Sequence, residues 1–449
     1  MRPNLLIKLF LLAGLFGLFG VGLVIIDGLV GDRERYRDEV IADVARSTAG
    51  QQTLFGPVLV VPYLEPVAAT PLGAHVSVPV RQKSAVIVLP ESLFISSNVK
   101  VEARHRGIHK AQVFRAANRL TVVFQVPANL GISDDRGVTG GGPARLSFGV
   151  SDSRGMHRPP VVDWDGAHLD VEPGSGQPWI AQGFSAEVGD LLSPSPRRIR
   201  VDIDLELIGT NQLSFVPAGA STRVEMQSDW PDPSFVGQFL PDTRSVDQKG
   251  FRAGWELSRF ATDVAGETER LRLQENNGDP NRRPEGALTS FGVRFMEQVD
   301  VYQKADRAVK YGMLFVLLTF VAFFVFEVLK RMDFHPIQYL LAGSGVAVFF
   351  LLLLSLSEHV PFVVAYLVAA AACIALLMFY ASSVFGSIAR GISFGLMLAV
   401  LYALLFVILE SKDYALLLGT LLLFGVLAAV MVLTRHIDWY KVGEKPPTT

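Results

Sequence analysis

The sequence predicts a mixed membrane protein, in which a β-rich domain outside the membrane is joined to an α-helical transmembrane bundle of six spans. Three observations predict this fold class: one apolar run near the N-terminus, five more in the last third, and a long polar segment between them. The chain has 449 residues, of which 50% are hydrophobic and only 19% are charged, and its mean hydropathy is +0.35. This composition is too apolar for an ordinary soluble protein. It is the average over two regions of the chain, a polar soluble region and an apolar membrane region.

The five C-terminal runs lie within residues 310–435 and are separated by short polar breaks. They are Tyr311–Leu329, Ile337–Leu356, Phe362–Tyr380, Ile392–Leu409 and Tyr414–Leu433. Because an α-helix rises about 1.5 Å per residue, each run is close to the roughly 20 residues needed to cross about 30 Å of hydrocarbon. Residues 310–435 are therefore predicted to form a five-helix transmembrane block, and residues 436–449 a cytoplasmic tail.

The first apolar run, Leu9–Ile26, follows the basic residues Arg2 and Lys8. Its start resembles a signal peptide, but no small-x-small cleavage pattern follows it before Asp27. We therefore predict an uncleaved transmembrane anchor over residues 1–27.

Glycine recurs at every third position within this anchor, at Gly14, Gly17 and Gly20. Small residues allow another helix to approach closely in lipid, so this face is predicted to pack on the C-terminal block. A glycine-rich span without a specific partner is the alternative that the sequence leaves open.

The positions of Lys and Arg predict which side of the membrane each segment occupies, because short cytoplasmic segments are enriched in these residues. With the N-terminus inside, the cytoplasmic segments contain most of the basic residues close to the spans. These are Arg2, Lys8, Lys330, Arg331, Arg390, Arg435, Lys441 and Lys445. The short outside loops contain only Lys412. Both termini are therefore predicted to be cytoplasmic, and residues 28–309 to lie on the far side.

The exported segment is predicted to begin with an amphipathic helix over residues 32–48, since Tyr36, Val40 and Val44 recur at a spacing of four. After it the pattern changes to strands, of which Arg198–Ile208 alternates most regularly between apolar and charged residues. The other predicted strands are Leu54–Leu64, His75–Val80, Ser84–Leu89, Asn98–Arg104, Lys110–Ala116, Leu120–Val126, Leu213–Val216 and Thr222–Gln227. Many short strands with few helices favour a sandwich or a curled sheet, in one domain or two.

Polar stretches interrupt these strands. Asp134–Pro143 contains four glycines and is predicted to be a mobile loop, and the charged stretch Thr262–Gly286 to be a surface excursion or disordered. Trp230 and Phe235 flank a proline-rich turn and are predicted to pack inward. An exposed aromatic ridge that binds a partner is the alternative.

Few features of the sequence point to chemistry. A formal net charge of −2 argues against nucleic acid as a main partner. The single cysteine, Cys373, cannot form an intramolecular disulfide, and the eight histidines lack zinc-ligand spacing. Gly391–Gly395 matches the G-x-S-x-G pattern of hydrolases, but at the start of a span it fits a G-x-x-x-G helix-packing face better. We therefore predict no catalytic, metal-binding or cofactor-binding residues, and no cofactor.

Ionisable residues close to lipid are the remaining candidates, because burying one is costly without a partner or a function. Glu327 lies near the cytoplasmic end of its run, where it is predicted to form an ion pair with Lys330 and Arg331, with a proton relay as the alternative. Glu358 and His359 lie in a short outside loop. They are predicted to have a capping and loop role, with a catalytic or metal role as the alternative.

Ten distinctive short motifs are distributed along almost the whole chain. None of them is a motif common to many unrelated proteins. They are Arg35-Tyr36-Arg37, Gly56-Pro57-Val58-Leu59, Val61-Pro62-Tyr63, Ser151-Asp152-Ser153-Arg154-Gly155, Trp230-Pro231-Asp232-Pro233-Ser234-Phe235-Val236-Gly237, Gly250-Phe251-Arg252-Ala253-Gly254-Trp255, Val299-Asp300-Val301-Tyr302, Arg307-Ala308-Val309-Lys310-Tyr311, Ser355-Leu356-Ser357-Glu358-His359 and Thr434-Arg435-His436-Ile437-Asp438-Trp439. With these motifs the chain resembles the CreD family of inner-membrane proteins, also described as cell envelope integrity proteins. Asp232 departs from the family pattern, which has a histidine there.

This resemblance implies a cell inner-membrane protein with a periplasmic domain at residues 28–309, associated with envelope stress and a two-component system. It implies no catalytic residue. The first hypothesis is therefore a non-enzymatic protein that supports cell envelope integrity and whose periplasmic domain engages an envelope component. Two alternatives stay open: a transporter or transporter-coupled membrane protein, and an intramembrane enzyme that uses Glu358 and His359.

Two kinds of partner are expected from the sequence. Tyr302 and Tyr311 suit the membrane interface, and the neighbouring Arg307 and Lys310 could meet lipid phosphates. Membrane lipid is therefore one expected partner, and a periplasmic or envelope protein is the other.

Overall fold

A computed structural model of the chain describes residues 3–67, 80–107, 109–133, 137–276, 288–295, 301–330, 334–411 and 414–435. The chain forms two compact units. The helical unit consists of Met1–Asp38 and Val299–Thr449, and the β unit consists of Glu39–Gln298.

In the described ranges, helices coincide with all the predicted apolar runs, and two further helices were not predicted. The helices are α1 Pro3–Ser47, α2 Val264–Asn276, α3 Val301–Lys310, α4 Gly312–Lys330, α5 Pro336–Ser357, α6 Phe362–Val384, α7 Ile388–Glu410 and α8 Ala415–Thr434. The predicted anchor and the predicted amphipathic helix belong to one continuous helix, α1. Helix α3 precedes α4 and is bent from it by 43°.

The described residues contain four helices that are long and apolar enough to cross a membrane, namely α1, α5, α6 and α7. The count rises to five if the bent pair α3–α4 is one span. The apolar part of α8, Leu417–Val432, is shorter. The protein therefore has a helical membrane body, and the sixth predicted span stays a prediction.

The face of α1 that packs on the other helices differs from the predicted one. Gly14 and Gly17 are exposed, whereas Phe19 and Leu23 are buried in the core of the helical unit. The glycines that permit close approach are supplied by the partner helices, because a Cβ on Gly343 of α5 would collide with the Phe19 ring. The prediction of a glycine face was therefore wrong for Gly14 and Gly17, which have no atom within 4 Å of an added Cβ.

The G-x-x-x-G interpretation of α7 is confirmed. Gly391 and Gly395 are both buried. An added Cβ would lie 2.8 Å from the Cα of Ser382 at the first position and 2.9 Å from the Met378 side chain at the second. These glycines let α7 pack closely against α6, as expected for small residues at a helix interface.

The described residues of the β unit form two sheets. The strands are β1 Gln52–Val67, β2 Val80–Val88, β3 Ser92–Arg106, β4 His109–Val126, β5 Thr139–Gly140, β6 Ala144–Val150, β7 Val161–Trp164, β8 Ala167–Leu169, β9 Glu172–Pro173, β10 Gly183–Gly189, β11 Arg197–Thr210, β12 Gln212–Phe215, β13 Ser221–Ser228, β14 Ser234–Gly237, β15 Thr243–Asp247, β16 Gly250–Ser258 and β17 Phe291–Arg294. The first sheet has the order β14-β17-β12-β1-β6-β10-β9, with β2 and β5 also paired to β1. The second sheet has the order β15-β16-β13-β3-β4-β11-β7-β8.

The two sheets share one hydrophobic core, which fits the predicted β-rich class. The regular alternation over Arg198–Ile208 is confirmed, since β11 pairs antiparallel with β4 and β7 and buries its apolar side chains. Two predicted strands, Lys110–Ala116 and Leu120–Val126, are one strand, β4. Their separation was wrong because the polar break contains Asn118, whose side chain is buried and accepts a hydrogen bond from Ser97 at 2.8 Å.

The polar stretches carry more structure than predicted. Thr262–Gly286 begins with helix α2, and Asp134–Pro143 contains the short strand β5. Residues 277–286 and 134–136 lie outside the described part of the chain, as do residues 75–79 of the predicted strand His75–Val80. The inward packing of Trp230 and Phe235 is confirmed, since both contact the core.

Candidate functional site

The first cluster of functional interest surrounds Glu358 at the C-terminal end of α5. Its carboxylate lies 3.5 Å from Nε of Arg33 on α1 and accepts a hydrogen bond from the Tyr302 hydroxyl of α3 at 3.4 Å. The Arg37 guanidinium stacks 5.7 Å from the centre of the Tyr302 ring. Three motifs that are far apart in sequence therefore meet here: Arg35-Tyr36-Arg37, Val299-Asp300-Val301-Tyr302 and Ser355-Leu356-Ser357-Glu358-His359. We call Arg33, Arg37, Tyr302 and Glu358 the Glu358 cluster.

His359 does not share this environment, although it is the next residue. It is exposed, and its Nδ1 lies 3.1 Å from the carbonyl oxygen of Ser355 one turn earlier. Glu358 also caps α5, and its backbone N–H donates to the carbonyl of Leu356. These contacts fit the predicted capping and loop role, and no residue in the described part of the chain bridges Glu358 to His359.

The second cluster surrounds Glu327 near the C-terminal end of α4. The carboxylate is buried and forms an ion pair with Lys8 of α1. It accepts a hydrogen bond from the Tyr339 hydroxyl of α5 at 2.6 Å and another from the backbone N–H of Phe334 at 3.3 Å. We call Lys8, Glu327, Phe334 and Tyr339 the Glu327 cluster. The side chains of Lys330 and Arg331, the predicted partners, lie outside the described ones, and the cation seen at Glu327 is Lys8.

The two clusters hold α1 at opposite ends of the membrane body. Lys8 and Arg33 are 25 positions apart, which corresponds to about 37 Å along a helix. Tyr339 and Glu358 stand at the two ends of α5. Each cluster joins a basic residue of α1 to a carboxylate and a tyrosine hydroxyl. A buried or half-buried carboxylate with both partners keeps its charge compensated, so these clusters fix the position of α1.

The last turn of α1 belongs to the β unit, where the Ser151–Gly155 motif forms hydrogen bonds with it and with the residues that follow it. Asp152 accepts hydrogen bonds from the backbone N–H of Gly50 at 2.9 Å and from Arg154 Nη2 at 2.6 Å. Arg154 also donates to the carbonyl of Arg46 at 2.6 Å. The hydrogen bond from the Arg154 side chain is the main cause that lowers the pKa of Asp152 to about 2.

A polar groove lies on the outward face of the second sheet of the β unit. It has a volume of about 750 Å³ and is lined by residues of β3, β13, β15 and β16 and by Asp242. Gly254 stands opposite Glu225 and Thr243 in neighbouring strands, and the missing side chain opens the floor of the groove. We call this the β-unit groove.

The charges that line the β-unit groove are balanced. The basic residues are Arg223, Arg244 and Arg252, and the acidic residues are Glu225, Asp242 and Glu256. Arg223 pairs with Glu256 at 2.9 Å, and Asp242 accepts the backbone N–H of Glu256 at 2.7 Å. In the described part of the chain, Glu225, Arg244 and Arg252 form no ion pair, so their charges face solvent.

Other polar residues of the helical unit have structural surroundings. His335 and Gln338 form a capping box at the start of α5. Lys310 pairs with Asp306 at 2.7 Å on α3. Within the described ranges, no group of three or more His, Cys, Asp or Glu residues is arranged to hold a metal ion.

Sequence reasoning missed the partners of the two membrane carboxylates, namely Lys8, Arg33, Tyr302 and Tyr339. Lys8 and Tyr339 gave the clearest signal, since each is a polar group within or beside an apolar run. The pairing itself was out of reach, because Lys8 and Glu327 are 319 positions apart.

Comparison with known proteins agrees with this architecture. The CreD family profile, described as "Inner membrane protein CreD", matches residues 4–440. The chain is 35% identical over 435 residues to the Inner membrane protein CreD of Escherichia coli (strain K12), covering 96% of this chain and 93% of that protein.

Among solved structures, a mutant M1 zinc metallopeptidase from Deinococcus radiodurans, bound to a Tyr-Ser-Ala substrate, is similar over 38% of this chain and 39% of that chain. The identity is 10% and the TM-score is 0.21, which is too low to bear on fold or chemistry. The family match covers nearly the whole chain, including the motifs that form the Glu358 cluster. This protein belongs to the CreD family of inner membrane proteins.

Proposed function

We propose that this protein supports the integrity of the cell envelope without catalysing a reaction, and that its β unit binds a protein component of the envelope in the periplasm. The observation that carries this proposal is the β-unit groove. A groove of about 750 Å³ is large enough for several side chains of a partner, and four of its six charged residues form no ion pair in the described part of the chain.

The chemistry of the groove favours a protein over a polyanion. A lipid headgroup or a nucleic acid requires a concentrated positive surface. The three basic residues here alternate with three acidic ones, so a strongly negative ligand would meet repulsion as well as attraction. A protein segment with charges of both signs complements this lining.

The proposed orientation places six spans in the inner membrane, with both termini in the cytoplasm and residues 28–309 in the periplasm. It is supported by the basic residues near the predicted cytoplasmic ends and by the length of the intervening segment, since segments beyond about 60 residues translocate largely regardless of charge. Alkaline phosphatase inserted between residues 150 and 250 should be active in this orientation. An inactive phosphatase fusion, together with an active cytoplasmic reporter inserted at the same site, would show that the orientation is the opposite one.

Photocrosslinking in intact cells tests the groove. A photoreactive amino acid replaces Gln227, which lines the groove, or Gln125, an exposed glutamine on the same sheet outside it. We expect a defined protein adduct from position 227 and none from position 125, and loss of the adduct when Arg252→Glu is added. Equal adducts from both positions, or an adduct that Arg252→Glu leaves unchanged, would contradict the proposal.

The envelope role has a separate test. Cells that lack this protein should become more sensitive to detergent, and the unaltered chain should restore resistance. Arg252→Glu should fail to restore it at equal protein level, whereas a charge reversal outside the groove, Arg198→Glu, should restore it. Full rescue by Arg252→Glu would separate the envelope role from the groove.

A further inference from the structure

Two helices carry the chain between the helical unit and the β unit. Helix α1 leaves the helical unit after Asp38, and α3 begins within it just after Val299. Both helices bind the same side chain of α5, since Glu358 contacts Arg33 of α1 and Tyr302 of α3. One carboxylate therefore joins the outgoing helix to the returning helix.

The Glu358 contacts are looser than those of Glu327. The two carboxylates are equally buried, with 8% of the Glu358 side chain and 9% of the Glu327 side chain exposed. Arg33, however, is 53% exposed at its side chain, and both contacts of the Glu358 carboxylate are 3.4 Å or longer. At Glu327 the Lys8 side chain is only 18% exposed, and the Tyr339 hydroxyl donates at 2.6 Å. Water competes with a half-exposed cation and weakens its ion pair, whereas a buried pair resists separation.

We propose that Glu358 is a releasable coupling residue that holds α1 and α3 together at one end of the membrane body, while the Glu327 cluster keeps the other end of α1 attached. Release at Glu358 frees the segment of α1 around residues 28–38 and leaves residues 5–20 in place. This inference does not depend on what the β-unit groove binds.

Two other contacts show what remains when Glu358 is lost. Lys304 of α3 pairs with Glu410 of α7 and lies 5.1 Å from the centre of the Phe362 ring, so α3 keeps a second attachment. Arg37 stacks on Tyr302, which is a contact between α1 and α3 themselves. The carboxylate of Glu358 is thus a polar group at the end of α5 that contacts both helices.

Hydrogen–deuterium exchange of the full-length protein in lipid nanodiscs tests the proposal. Glu358→Ala is expected to raise exchange in residues 28–38 by about two- to fivefold, the effect of losing one half-exposed ion pair. Residues 5–20 should keep their protection. Glu358→Gln retains an oxygen that can accept from Tyr302, so it should release α1 while residues 301–310 stay protected.

His359→Ala is the matched control, because it changes the adjacent exposed residue and leaves the carboxylate intact. It should leave exchange unchanged in all three segments. Unchanged exchange of residues 28–38 in Glu358→Ala would overturn the proposal, and so would an equal rise in residues 5–20. If Glu358→Ala does not accumulate, two other variants take its place. Arg33→Gln must then raise exchange in residues 28–38 and in neither of the other segments. Tyr302→Phe must raise exchange in residues 301–310 and in neither of the other segments. Any other pattern in this pair overturns the proposal as well.

Discussion

The Glu327 and Glu358 clusters are built from the same three kinds of group but differ in the exposure of the basic residue and in the length of the contacts. Each joins a carboxylate to a basic residue of α1 and to a tyrosine hydroxyl. At Glu327 all three groups are buried or nearly so, and a backbone N–H adds a further hydrogen bond. At Glu358 the cation is half exposed and the contacts are longer.

This difference indicates that α1 is held more strongly at Lys8, near its N-terminal end, than at Arg33. Removing a buried carboxylate leaves its partners charged or unsatisfied in a medium that solvates them poorly, so the loss is large. At Glu358 the side chain is just as buried, 8% exposed against 9% for Glu327, but its cation is half exposed and returns to water at little cost when the pair is broken.

Glu327→Ala should cause the largest loss, about 3–5 kcal/mol of the free energy of unfolding, because Lys8 and Tyr339 lose their shared acceptor. The single cysteine reports this loss, since Cys373 is buried in the bundle and reacts with a thiol probe only on opening. Labelling is followed during a detergent titration. The triple variant Lys8→Met, Glu327→Met, Tyr339→Phe should recover most of the stability, and a triple variant as weak as Glu327→Ala would contradict the account.

Asp152 provides a pH-dependent contrast within the β unit. Its pKa is lowered from 3.8 to about 2, chiefly by the hydrogen bond from the Arg154 side chain. A carboxylate whose pKa is depressed on folding stabilises the folded state above the unfolded pKa, and this contribution is lost as the pH falls through the folded pKa. The protein should therefore lose about 2 kcal/mol of stability between about pH 4 and about pH 2 through this group.

Tryptophan fluorescence measures that loss, because Trp164, Trp179, Trp230 and Trp255 all belong to the β unit. Asp152→Asn should be less stable at neutral pH and should lack this part of the acid dependence. A variant that retains the full acid dependence would assign it to other carboxylates.

Arg33→Ala should have the smallest effect, about 1 kcal/mol, because the half-exposed guanidinium returns to water while the buried Glu358 carboxylate keeps the hydrogen bond from Tyr302. The same Cys373 labelling assay compares it with Lys8→Ala, which should cost several times more. Equal losses in the two variants would remove the distinction between the clusters.

The helical body could be predicted from sequence because a span must be apolar over its whole length. Each of the five C-terminal runs is a helix with ends within a few residues of the prediction. The regular alternation of β11 was equally readable, since one of its faces is wet and the other is buried. Both patterns are local, so the sequence displays them directly.

Features that depend on distant residues could not be predicted in this way. Helix α2 was missed because its stretch is charged and followed by turn residues, although Val264 packs into the core. The packing face of α1 was misassigned because Gly343 and Gly312, which accommodate Phe19 and Leu23, lie over 280 positions away. The Glu358 cluster required three segments to be brought together by the fold.

The separation between Lys8 and Glu327 also affects how the protein is made. Ribosomes add roughly 5–20 residues per second, so the 319 positions between them take on the order of 15–60 s to synthesise. Throughout that interval the first helix sits in lipid with its docking side uncovered and its lysine lacking this counter-ion. Nascent chains that stop before the C-terminal helices would therefore expose this unmatched surface to lipid.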